Sequence, residues 1–70
     1  MDQMLQSVLD SSWVDFNLML KQLREDQIKV MLESEVESKE PRVIIIERLH
    51  QRYTKLRSMR ERAELLKGLV

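Results

Sequence analysis

The 70-residue sequence contains no cysteine, one glycine, one proline, and one residue each of tryptophan, tyrosine and phenylalanine. The absence of cysteine excludes disulfides, thiolate metal sites and cysteine nucleophiles. So few glycines and aromatic residues argue against β-sheets and against active sites built on loops. The longest aliphatic run, Val43 to Ile46, is far shorter than the ~20 residues of a transmembrane helix. The first residues also lack the basic region of a secretion signal, so we expect a cytoplasmic protein without a membrane partner.

The composition favours one small helical domain that covers residues 1–70. Hydrophobic residues make up 43% of the chain and charged residues 34%, which is typical of soluble helices. A domain of this size buries only about 60% of its chain surface and is marginally stable without disulfides or metal. We therefore expect the chain to associate with itself or with another protein.

Capping residues and the single proline divide the chain into three predicted helices. The side chain of Ser12 can cap a helix, and Pro41 fits the first helical turn, where its missing N–H is harmless. The predicted helices cover residues 2–9, 12–37 and 41–67. Because a short turn joins antiparallel neighbours, we predict an all-α fold in which the second and third helices form a hairpin beside the short first helix.

Heptad spacing of apolar residues predicts how this hairpin packs as a coiled coil. In one antiparallel register, the bulky Phe16 lies opposite the small Ala63, and the polar Gln27 lies opposite the polar Arg52. A polar pair within an apolar seam fixes the register, because a slip would leave polar groups against hydrocarbon. The predicted seam of the second helix consists of Trp13, Phe16, Leu20, Leu23, Gln27, Val30 and Ser34, and that of the third helix consists of Ile45, Leu49, Arg52, Leu56, Met59, Ala63, Leu66 and Val70.

The second predicted helix is apolar on more than this seam. A further flank contains Val14, Leu18, Ile28 and Leu32, and one hairpin partner cannot cover a helix with so narrow a polar face. The simplest completion is a homodimer in which two hairpins form a four-helix-bundle-like assembly. A monomeric three-helix bundle is the alternative.

The balanced net charge conceals a strong asymmetry. Residues 1–40 contain nine acidic and four basic residues, a net charge of −5, whereas residues 41–70 contain three acidic and eight basic residues, a net charge of +5. Arg48, Lys55 and Arg62 recur every seven residues and form one basic stripe along the third helix. Such a stripe binds either an acidic protein helix or nucleic-acid phosphates. We favour a protein partner, because the acidic first half of the chain repels phosphate.

The candidate partner-binding residues combine the apolar flank with the basic stripe. They are Val14, Leu18, Ile28, Leu32, Arg48, Lys55 and Arg62. The sequence predicts no catalytic residue and no cofactor. Glu47 and His50 match the Glu-x-x-His spacing of metal-binding bundles, but Leu49 belongs to the seam and so directs both toward solvent. We therefore predict no metal site.

Two short stretches, Leu23-Arg24-Glu25-Asp26-Gln27 and Met31-Leu32-Glu33-Ser34, resemble segments of small helical proteins encoded by tailed bacteriophages. The resemblance implies a viral accessory, inhibitory or virion-assembly protein that acts through protein contacts, in the host cytoplasm or in the virion. Taken with the residues above, it predicts a non-enzymatic helical protein–protein interaction module. A small nucleic-acid-binding bundle that uses the basic C-terminal helix is the alternative.

Overall fold

A computed structural model describes residues 2–69, and all the regular secondary structure in that range is α-helical. Val70, at the end of the predicted seam, lies outside the described residues. The helices are α1 (Gln3–Leu9), α2 (Trp13–Leu20), α3 (Glu25–Val36) and α4 (Val43–Lys67). The prediction of an all-α chain is thus confirmed. Among these helices, none combines the length and the apolar character needed to cross a membrane.

The first two helices begin at side-chain caps. A carboxylate oxygen of Asp2 accepts a hydrogen bond from the backbone N–H of Met4 at 2.7 Å. The hydroxyl of Ser12 accepts one from the backbone N–H of Asp15 at 3.2 Å. Each bond satisfies one of the amide groups that a helix leaves unpaired at its start.

The segment predicted as one helix over residues 12–37 is divided in two, and that prediction is wrong. Arg24 has extended backbone angles, with φ at −82° and ψ at 163°, and so interrupts the helix without glycine or proline. Its backbone N–H donates to Oε1 of Gln27 at 2.9 Å. Glu25 and Asp26 follow in the first turn of α3, where carboxylates interact favourably with the helix dipole. These four residues form the start of a new helix.

The break lets both halves of the segment bury their apolar residues. On one continuous helix, the pair Phe16 and Leu20 would point about 70° away from the pair Ile28 and Met31. With the chain turned at Arg24, all four side chains are fully buried. Ile28, which we predict to contact a partner from the apolar flank, therefore packs inside the core of its own chain.

One hydrophobic core joins the four helices. Its buried apolar members are Leu5, Val8, Leu9, Phe16, Leu20, Ile28, Met31, Ile45 and Leu49, and the partly buried Leu23, Leu32, Tyr53 and Leu56 pack against them. The main contact is between α3 and α4, and α1 packs against α2 and α3. Of the apolar flank for which we predict a dimer, this core covers Ile28 fully and Leu32 in part.

The predicted hairpin register is wrong, because α3 alone lies along α4. Phe16 is fully buried, whereas Ala63 is exposed, so the two do not pack face to face. Arg52 does not pair with Gln27; it donates to the backbone carbonyl of Lys21 at 3.3 Å. That carbonyl lies at the C-terminal end of α2, where a positive charge is favourable.

Two ion pairs mark the ends of the contact between α3 and α4. Glu35 pairs with Arg42 at 2.8 Å, and Glu25 pairs with Arg60 at 3.0 Å. With 25 residues against the 12 of α3, α4 is about 37 Å long and α3 only about 18 Å. Consequently α4 continues beyond the core, and every residue from 57 to 69 is exposed. We call residues 57–69 the α4 tail.

Candidate functional site

The α4 tail carries a stripe of exposed apolar residues. Met59 is 56% exposed and Leu66 is 55% exposed, with the exposed Ala63 between them. We call these three residues the tail stripe. They continue both seam positions of the α4 heptad: Ala63 follows Leu49 and Leu56, and Met59 and Leu66 follow Ile45 and Arg52. The tail stripe therefore has the geometry of a coiled-coil seam, and within the described chain no other helix covers it.

Basic residues border the tail stripe on both sides. We call Lys55, Arg60, Arg62 and Lys67 the flanking bases; they occupy the positions directly beside the seam in the heptad. Glu61 and Glu64, the two acidic residues of the α4 tail, lie on the side of the helix turned away from the stripe. The surface beside the seam is thus positively charged along its whole length.

One of the flanking bases is already paired. Nε of Arg60 lies 3.0 Å from Glu25, and its NH1 lies 3.3 Å from Glu64. The hydrogen bond that Arg60 donates to the Glu25 carboxylate is the main cause that raises the pKa of the Arg60 guanidinium. Within residues 2–69, Lys55, Arg62 and Lys67 form no ion pair and remain available to a partner's carboxylates.

The three residues of the predicted basic stripe do not form one exposed surface. Arg48 is partly buried, and its Nε donates to the side-chain oxygen of Asn17 on α2 at 2.7 Å. Lys55 and Arg62 are exposed. The guanidinium of Arg48 thus helps to hold α2 against α4, and only the other two residues border the tail stripe.

The predicted apolar flank is also divided. Val14 and Leu18 are 66% and 58% exposed, and they lie one turn apart on α2. Ile28 is fully buried, and Leu32 is partly buried against the core. Only the α2 pair therefore remains accessible, and it forms a much smaller apolar patch than the four residues would have formed.

Glu35 is the only charged residue among the buried residues of the described chain. Its Oε1 accepts from the backbone N–H of Arg42 at 3.0 Å and from Nε at 2.8 Å, while Oε2 accepts from NH2 at 3.0 Å. Hydrogen bonding from the Arg42 side chain is the main cause that lowers the pKa of this carboxyl. The pair joins the end of α3 to the start of α4, and this geometry is structural.

A small groove between α3 and α4 brings together side chains that the sequence analysis does not place near one another. Lys29, Leu32, His50, Tyr53 and Arg57 are among the residues that line its volume of about 260 Å³. The guanidinium carbon of Arg57 lies 5.8 Å from the centre of the Tyr53 ring, which is within cation–π distance. This stacking covers the ring and does not create a nucleophile–base pair.

No arrangement in residues 2–69 points to metal chemistry. In that range, no three His, Cys, Asp or Glu side chains lie close enough to hold a metal ion. Glu47 and His50 are both exposed on α4, so the Glu-x-x-His motif does not face the bundle interior.

The tail stripe is the site that sequence reasoning missed. The predicted hairpin covers Met59, Ala63 and Leu66 with its second helix, whereas the structure leaves all three exposed. The signal was present in the bases on both sides of that seam, because a seam that pairs within one chain is usually bordered by charges of both signs. No protein-family model, curated protein or solved structure matches the chain.

Proposed function

We propose that this protein is a non-enzymatic helical interaction module that binds a protein partner through the α4 tail. The observation that carries the proposal is the tail stripe, which continues the core heptad on a helix that extends beyond the core. Helix-in-groove and coiled-coil recognition use residues at this spacing. The compact four-helix body serves as the support that presents the tail.

The tail stripe is large enough to contribute to binding and too small to act without other contacts. Moving the exposed halves of Met59 and Leu66 out of water stabilises a complex by roughly 1 kcal/mol each. A stable specific complex must also offset the loss of translational and rotational freedom. We therefore expect a partner that covers the neighbouring Leu56 and Leu69 as well.

A library of helical peptides with mixed charge tests the proposal without assuming the partner's charge. The immobilised wild-type protein is expected to enrich peptides with an apolar stripe, and Met59→Gln combined with Leu66→Gln is expected to abolish that enrichment. Val14→Gln combined with Leu18→Gln is the matched control, because it removes two exposed apolar residues from α2. Enrichment that persists in the tail variant, or no enrichment by the wild type, would refute the proposal.

Self-association into a four-helix-bundle-like dimer is a second form of the proposal, and the exposed pair Val14 and Leu18 supports it. Stable interfaces bury about 800 Å² per partner, far more than two side chains provide. Sedimentation at micromolar concentration measures this directly. A wild-type dimer that Val14→Gln combined with Leu18→Gln dissociates would support self-association, and a monomeric wild type would refute it.

Nucleic-acid binding by α4 remains the alternative function, and Lys55 and Arg62 support it. The bond from Arg48 to Asn17 weakens it, because one of the three regularly spaced bases is already engaged. Duplex binding at physiological salt that decreases steeply with added salt would favour this alternative.

The resemblance to tailed-bacteriophage proteins supports a viral setting for the proposed module. In that setting the partner is a host or virion protein, and the module adapts, inhibits or assembles it. Host cytoplasm or virion is the corresponding proposed location.

A further inference from the structure

We infer that the partner of the α4 tail is an acidic amphipathic helix, with glutamate or aspartate on both sides of an apolar stripe. This inference rests on the proposed function and specifies the chemistry of the partner. It depends on the juxtaposition of the tail stripe with the flanking bases.

The charges beside the seam determine which charge the partner helix needs beside its own seam. In a coiled coil, the residues that border one seam meet the residues that border the other, and these contacts determine which helices pair. All four flanking bases carry positive charge, so a partner with basic borders is repelled. A partner with acidic borders meets an opposite charge at every flanking position, although at Arg60 it competes with Glu25 and Glu64.

The same charges disfavour pairing of the α4 tail with the tail of a second copy. Parallel helices would place Arg62 near Lys67 of the other copy and Arg60 near its Lys55. Antiparallel helices would place flanking bases opposite their own equivalents. Both arrangements bring positive charges together, and like charges across an interface act against the wrong partner.

The apolar stripe distinguishes a protein helix from a polyanion. Phosphate contacts need only the bases, whereas Met59, Ala63 and Leu66 line up at seam positions that phosphates would leave exposed. From Leu56 to Leu66 the seam of α4 extends about 15 Å. A partner helix of about 11 residues matches that length.

Two designed peptides test the inference. Both are about 21 residues long, or three heptads, with leucine at the seam positions; one has glutamate at the flanking positions and the other has lysine. Fluorescence anisotropy is expected to show binding of the glutamate peptide and no binding of the lysine peptide to the wild-type protein. Equal affinity for the two peptides would overturn the inference.

Charge-reversal variants locate the effect on the tail. Arg62→Glu combined with Lys67→Glu is expected to weaken binding of the glutamate peptide roughly tenfold and to create binding of the lysine peptide. Lys29→Glu combined with Lys39→Glu is the matched control, because both lysines are exposed outside the α4 tail and the change in net charge is the same. An equal loss in both variants would overturn the inference, since only the overall charge would then matter. Circular dichroism checks that both variants remain helical.

The same measurements also test other ligands for the α4 tail. Tighter binding of the wild type to a duplex DNA, or to vesicles containing phosphatidylserine, than to the glutamate peptide at physiological salt would overturn the inference. So would a wild-type dimer that the Arg62→Glu, Lys67→Glu variant dissociates. If the mixed peptide library instead yields stripe-dependent peptides without acidic borders, the proposed function stands and only the acidic partner is refuted.

Discussion

The ion pair of Glu35 and Arg42 gives the sharpest prediction about the stability of the fold. Glu35→Gln removes the charge while keeping the shape of the side chain. The carboxylate is 6% exposed and the Arg42 side chain is 45% exposed. Loss of one partner of a buried pair costs about 3–5 kcal/mol, but water reaches Arg42 and partly replaces the lost interaction. We therefore expect a cost of about 2 kcal/mol.

That cost is large for so small a protein. Stability of about 0.05–0.15 kcal/mol per residue gives this chain a free energy of unfolding of roughly 4–10 kcal/mol. A loss of about 2 kcal/mol corresponds to a decrease in melting temperature of roughly 8–16 °C for a domain of this size. Glu33→Gln is the control, because it removes the same charge from an exposed position on α3 and is expected to change stability by less than about 0.5 kcal/mol.

The pH dependence of this difference identifies its electrostatic origin. Folding lowers the pKa of Glu35 from its usual value of 4.5, so the folded state holds the carboxylate form more strongly than the unfolded state. The stabilisation is therefore fully present above the unfolded-state pKa and is lost as the pH decreases through the lower folded-state pKa. Urea unfolding should show the wild type and Glu35→Gln converging in stability toward acid pH. Equal stability at neutral pH, or a gap that does not change with pH, would refute the reasoning.

Three further predictions follow from the burial pattern and the helix caps. Ile28→Ala should cost about 2–5 kcal/mol of unfolding free energy, whereas Val30→Ala, at a side chain that is 43% exposed, should cost less than half as much; equal losses in urea unfolding would contradict the core. Ala63→Leu should change the melting temperature little, since Ala63 does not pack against Phe16. A melting temperature lowered as overpacking lowers it would instead favour the hairpin register that sets Phe16 against Ala63. Ser12→Ala should cost about 1 kcal/mol through loss of the α2 cap, with Ser7→Ala on the exposed face of α1 as the control, and unchanged thermal unfolding would show that the cap contributes nothing.

The features that could be predicted from the sequence depend on local chemistry. Asp2 and Ser12 mark the starts of α1 and α2 because their side chains bond nearby backbone amides. Pro41 lies just before α4, in agreement with its preference for the beginning of a helix. Ile45 and Leu49 could be placed in the core from the heptad alone, because their spacing presents them on one face of a single long helix.

The break between α2 and α3 was missed because the usual helix-breaking residues are absent there. Its local signal was weak: a glutamine three residues after Arg24, preceded by two acidic residues. Capping boxes normally begin with serine or threonine, so this pattern was read as helix interior. The error then propagated, because a register built on one continuous helix placed Phe16 against the far end of α4 and Ile28 on an outer flank.

The α4 tail is not explained by the needs of the core. The α4 tail extends a helix that is already formed in the packed segment, so it needs no separate nucleation. Helices without tertiary contacts are nevertheless only marginally stable in water. The pairs Arg57–Glu61 and Arg60–Glu64 contribute little, because exposed ion pairs are screened by water, and both have the basic residue first, which is the weaker order. A core that ends near Leu56 would be as complete without the apolar residues that follow it. The proposed contact with a helix outside this chain accounts for their placement along one seam, between bases that repel a second copy.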